Sequence, residues 1–139
     1  MFGAARIAEE ALLVPARQVD GVQVAAIAAR DPHRARAYAD KHGIRRVHPS
    51  YESLLADPDI DAVYVPLPAA LHAAWTIAAI NAGKHLLCEK PFASNSAAAV
   101  KVASVAATAD HVVMEAYHTH YHPMHRRLGQ TPVHASCLR

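Results

Sequence analysis

Cysteine is nearly absent from this chain: Cys88 and Cys137 are the only two. Two are too few for a disulfide framework, which predicts a protein of a reducing compartment, the cytoplasm. No apolar run reaches the ~20 residues of a membrane-spanning helix, so no membrane partner is expected. The first residues show no charged region leading into an apolar one, so no secretory leader is expected. A basic stripe is also missing. The arginines are scattered and the net charge is +2, which leaves no footprint for nucleic acid. Aromatic residues make up only 6%, so alanine and valine must supply much of the interior. What is present, 53% hydrophobic and 19% charged residues over 139 positions, describes one folded domain with its own core.

Short apolar runs alternate with helical periods, the pattern of a parallel α/β sheet. Val22–Ala28 reads as a buried strand. Asp31 can cap a helix with Pro32 at its first position, and Gly43 ends it. Ala35, Tyr38, Ala39 and His42 share one face of that helix. Arg46–His48 is a short strand, Ser50 opens a short helix through Leu55, and Asp57-Pro58-Asp59 is a turn. Ile60–Val65 is the next strand. Leu71, Ala74, Trp75 and Ala78 fall on one face of the helix after it, and Asn81-Ala82-Gly83 stops that helix. His85–Cys88 is a strand, Ser94 or Asn95 caps a helix with Ala98, Val102, Val105 and Ala109 inward, and Val112–Met114 is a last strand. This order is that of a doubly wound, Rossmann-type dinucleotide-binding sheet.

Three stretches carry chemistry. Cys88-Glu89-Lys90-Pro91 closes a strand, and the carboxyl ends of strands in open parallel sheets are where ligands bind. A lysine there can donate to a substrate oxygen or take its proton, and a neighbouring carboxylate can tune it. Taken alone, Glu89 and Lys90 are equally consistent with a solvated turn. Gly3-Ala4-Ala5-Arg6-Ile7-Ala8 stands where a phosphate turn is expected, with Ala5 and Ala8 in place of its second and third glycines. As a bare motif it reads more readily as an alanine-rich helix start. At the end of the second strand, Ala29 stands where a carboxylate would bind the ribose 2′-hydroxyl of NAD. Arg30 follows and can pair with a 2′-phosphate, which favours NADP and leaves NAD as the other cofactor. Asp31 can cap the helix, touch the cofactor, or both.

Together these blocks resemble the glucose-fructose oxidoreductase/inositol dehydrogenase (Gfo/Idh/MocA) family. Gly3–Ala8, Ala28–Asp31, Val65–His72, Cys88–Pro91 and Glu115–His118 with His122-Pro123 stand in the family's order and spacing, over about residues 1 to 128. The resemblance implies an oxidoreductase that moves hydride between a nicotinamide cofactor and a sugar, polyol or related alcohol. It implies cofactor contacts from Gly3, Ala5, Arg6, Ile7, Arg30, Asp31, Pro66, Leu67, His72, Glu89 and Lys90. Lys90 becomes the catalytic residue, bonded to the substrate hydroxyl, with Glu89 on the cofactor ribose. Tyr117, His118 and His122 become cleft residues. For His72, a half-buried histidine at a helix start is the alternative reading.

The resemblance assigns 1–122 to the NAD(P)-binding domain and 123–139 to a crossover remnant and a tail that departs from the family. It also implies a first strand reduced to Met1 and Phe2, an absent substrate domain, and doubtful activity for these residues alone. Other readings are a cofactor-binding remnant without catalysis and a histidine-rich metal module built on His118, His120, His122 and His125. No metal site is expected, since Pro123 breaks the pattern and no cysteine or acid completes it. A homo-oligomer is compatible with the chain.

Overall fold

The computed structural model describes residues 1–130. Three of its helices begin where the sequence supplies side-chain caps. Asp31 accepts from the main-chain N–H groups of His33 and Arg34, at 2.9 and 3.2 Å, and opens α2 (Pro32–His42). Gly43 ends α2 with φ 73°, a conformation that costs glycine little. Ser50 and Ser53 cap each other's backbone at the start of α3 (Tyr51–Leu55). Asn95, not Ser94, caps α5 (Ser96–Ala106), accepting from Ala98 at 2.9 Å. The first helical stretch, α1, joins a π-type segment, Glu9–Leu13, to an α-helical turn, Val14–Ala16. A 3₁₀ turn, His118–Tyr121, precedes α6 (Pro123–Gln130). None of the described helices is long and apolar enough to cross a membrane.

The strands are β1 (Ala26–Ala28), β2 (Arg46–His48), β3 (Ala62–Val65), β4 (His85–Cys88) and β5 (Val113–Glu115), and all their pairings are parallel. β1 pairs with β2, and β3 with β4 and then β5. The two groups are stitched together by residues 1–3. Met1 O accepts from Ala28, Gly3 N–H donates back to Ala28, and Phe2 N–H donates to Tyr64 on β3. The spatial order is therefore β2, β1, residues 1–3, β3, β4, β5. That is the doubly wound order, with Met1–Gly3 in the place of the central strand.

β1 is shorter than the sequence predicts. It begins at Ala26, and of residues 22–25 Ala25 still bonds to β2, its carbonyl accepting from the Arg46 N–H at 3.2 Å. Strand alternation sends neighbouring side chains to opposite faces. Phe2, Val63, Val65, Leu86 and Cys88 enter one core with Leu54, Leu55 and Ala79 from α3 and α4. Met1, Ile27 and Tyr64 enter the other with Leu13 and Ala39 from α1 and α2. In α4 (Ala69–Asn81) the buried stripe is His72, Thr76, Ala79 and Ile80, one position round from the predicted face. His72 can be buried because both its nitrogens find carbonyls, while Leu71 is 41% exposed at the rim of a cleft.

The Met1 amine is enclosed and donates to Ala26 O at 2.6 Å. Burial pulls its pKa down from 8.0 to about 5. Between these values the unfolded chain binds a proton that the folded chain refuses, so stability falls as pH falls through the window and levels off below it. For residues 1–139 with a free amine, the thermal midpoint should drop from pH 8 to pH 5, at a total cost of about 4 kcal/mol or less. A flat profile would place the amine in water.

Candidate active site

At the carboxyl end of the sheet lies an open cleft of about 520 Å³. Three loops meet there. The first is Gly3-Ala4-Ala5, which leads into the helical stretch beginning at Ile7. Gly3 has φ 68°, and a Cβ on it would lie 3.2 Å from Leu67 Cδ2, so glycine lets this turn close against the third loop. α2 holds the turn from behind: Arg34 Nη2 donates to Ala4 O at 3.1 Å and the Tyr38 hydroxyl to Ala5 O at 3.3 Å. The second loop is Ala29-Arg30-Asp31 after β1, and the third is Pro66-Leu67-Pro68 after β3. Six of the residues proposed from sequence, Gly3, Ala5, Arg30, Asp31, Pro66 and Leu67, thus line one cleft.

Arg34, Tyr51 and Trp75 also line the cleft, and sequence reasoning missed them as site residues. Arg34 was within reach: a helix capped by Asp31 puts its third residue beside the strand end. Tyr51 and Trp75 join the cleft through packing, with ring centroids 4.8 Å apart, and no sequence signal brings two such distant residues together. Asp31 spends one carboxylate oxygen, Oδ1, on capping α2.

The Glu89-Lys90-Pro91 loop follows β4 and lies outside the lining of this cleft. Glu89 Oε1 accepts from the Tyr64 hydroxyl at 2.7 Å, and its Oε2 accepts from the Lys90 main-chain N–H at 3.3 Å. Burial, and after it the Glu89 carboxylate, push the Tyr64 phenol well above its usual range. Lys90 is exposed, and its bond to Pro91 is cis. Cys88, just before, is buried, and burial pushes its thiol up to about 11. A neutral buried thiol is no nucleophile.

The remaining predicted residues fall elsewhere. Arg6 and Ile7 are exposed at the start of the helical stretch, outside the cleft lining. His72 is 1% exposed and is bonded within the protein. Tyr117, His118 and His122 are exposed beyond β5. Residues 118–121 form a 3₁₀ turn, not the extended chain that would place alternate histidines on one face. Among the described residues no group of three or more His, Cys, Asp or Glu could hold a metal ion. The stretch 131–139, with Cys137, lies outside the described residues.

The description of an oxidoreductase family with an NAD-binding Rossmann fold, Gfo/Idh/MocA, fits residues 1–117. The chain belongs to the Gfo/Idh/MocA family. Among curated Gfo/Idh/MocA relatives, an NADP⁺-dependent D-xylose 1-dehydrogenase of Haloferax volcanii is 43% identical over 118 residues, covering 85% of this chain and 36% of its own. A dTDP-3,4-didehydro-2,6-dideoxy-α-D-glucose 3-reductase of Actinomadura kijaniata is 41% identical over 107 residues, covering 77% of this chain and 32% of its own. A solved 3-ketoreductase of Actinomadura kijaniata, in complex with NADP and TDP-benzene, superposes with a TM-score of 0.83 at 38% identity. The match covers 93% of this chain and 39% of that one. The chain thus spans about a third of the length of these curated relatives.

Proposed function

We propose that residues 1–122 form the cofactor-binding part of an NADP-dependent oxidoreductase acting on a sugar, polyol or the corresponding ketone. The observation that carries this reading is the convergence of the Gly3 turn, the Arg30 loop and the Leu67 loop on one cleft. The residues fit the group. A glycine-led turn opening a helical stretch suits a pyrophosphate. Arg30 and Arg34 line the same cleft, where a 2′-phosphate needs cations, and of the two carboxylates in its lining, Asp31 and Glu52, Asp31 is already partly spent as a helix cap. The nicotinamide would supply the hydride chemistry. The chain's own task is to bind, to orient, and to handle a proton at Lys90 Nζ, held at the carboxyl end of β4. The sugar-acting relatives favour a sugar-like substrate.

Calorimetric titration of residues 1–139 with NADP and NAD tests the cofactor reading. NADP should bind more tightly. Arg30→Ala should lower NADP affinity about 10- to 100-fold, the loss of one charge-assisted contact, and leave NAD within about threefold. Equal wild-type affinities, or an equal loss of both, would contradict the assignment.

A further inference from the structure

His72 is 1% exposed and lies outside the lining of the cleft. Its Nε2 lies 2.6 Å from Leu67 O and its Nδ1 2.7 Å from Pro91 O. Leu67 belongs to the cleft wall, and its side chain is the atom group nearest to where a Gly3 Cβ would stand. Pro91 follows Lys90 directly. One imidazole thus spans the cofactor loop and the lysine loop. A ring with a single N–H donates to only one of these carbonyls, while a doubly protonated ring donates to both. In either form the ring fills the gap between two loops that otherwise belong to different strands.

The lysine loop has little else to place it from within. Lys90 is exposed, so where its Nζ lies depends on the backbone around it. That backbone is held from three elements. Glu89 is held by Tyr64 of β3, Pro91 by His72 of α4, and the Phe92 N–H by Glu115 Oε1 of β5 at 2.8 Å. Of the three, only His72 also touches the cleft wall.

We infer that His72 is a positioning residue that joins the Leu67 wall of the cleft to the Lys90 loop, so that filling the cleft fixes Lys90. The inference rests on the cofactor reading for what fills the cleft. The probe should not reach the loop itself, so adenosine 2′,5′-bisphosphate, which carries the 2′-phosphate but no nicotinamide half, is used on residues 1–139. Amide hydrogen exchange is followed by NMR at Lys90 and Phe92, with and without the probe. In the wild type the probe should slow both amides about fivefold or more. His72→Leu should still bind the probe but lose that slowing, and His72→Gln, whose single amide nitrogen can still donate to one of the loops, should retain part of it.

A probe that leaves the wild-type loop unchanged, or a His72→Leu protein that keeps the full effect, overturns the inference. If His72→Leu does not fold, His72→Gln carries the comparison, and full retention of the effect there overturns it equally. Failure of the wild type to bind the probe would count against the cofactor reading alone. Exchange without probe then decides: faster exchange at Phe92 in His72→Gln at an unchanged thermal midpoint upholds the positioning role, and unchanged exchange ends it.

Discussion

Phe2→Ala is expected to lower the unfolding free energy by about 3–5 kcal/mol, the usual cost of truncating a buried phenylalanine. Net stabilities of whole domains are about 5–15 kcal/mol, so much of the fold's margin depends on this one ring. Phe2 is fully buried and stacks on Tyr51, with centroids 4.6 Å apart, while Trp75 meets it edge-on at 5.4 Å. Its backbone forms the bridge between β1 and β3. The substitution therefore empties the middle of one core at the seam that joins the two halves of the sheet. It also leaves Tyr51 and Trp75 without their shared partner, and both line the cleft. Denaturant unfolding of the variant beside Val100→Ala, a change at a residue 69% exposed, measures the effect. The control should stay within about 0.5 kcal/mol. A Phe2→Ala loss below about 1 kcal/mol would mean that residues 1–3 are not integrated into the sheet.

The seam also marks what the sequence conveys. Caps and strand ends were legible because they are local: Asp31 with Pro32, Gly43, Ser50 and the apolar run before Glu89 each act on their own neighbours. The cleft was legible in part for the same reason, since loops after parallel strands meet at one edge of the sheet. The resemblance implies a first strand reduced to Met1 and Phe2. Residues 1–3 nonetheless bond on both sides, to Ala28 of β1 and to Tyr64 of β3. The face of α4 was less legible because periodicity weighs hydrophobicity. His72 and Thr76 read as polar, and only the carbonyls of Leu67 and Pro91, distant in sequence, make the burial of His72 affordable. The aromatic trio of Phe2, Tyr51 and Trp75 belongs to the same class: no spacing rule connects residues that meet only once the sheet is assembled.

Lys90→Met should lower turnover about 10²- to 10⁴-fold, the range of a lost proton-transfer group, while leaving NADP affinity within about threefold. The split follows from where the structure puts this lysine. It lies outside the lining of the candidate cleft, on a loop whose neighbours are held by Tyr64, His72 and Glu115. Removing its ammonium should therefore disturb the loop backbone and the Arg30 end of the cleft very little. Glu89, the neighbouring carboxylate, accepts from the Tyr64 hydroxyl with one oxygen and from the lysine's own main-chain N–H with the other. Turnover is measured in a chimaera in which residues 1–117 replace the matching segment of the 43%-identical xylose dehydrogenase. In that chimaera Lys90→Arg separates two roles. Arginine keeps the positive charge but does not give up a proton near neutral pH, so it should restore little if Lys90 transfers a proton and much if it only orients an oxygen. Turnover unchanged in Lys90→Met would remove the residue from the reaction, and a parallel collapse of NADP affinity would reassign it to the cofactor.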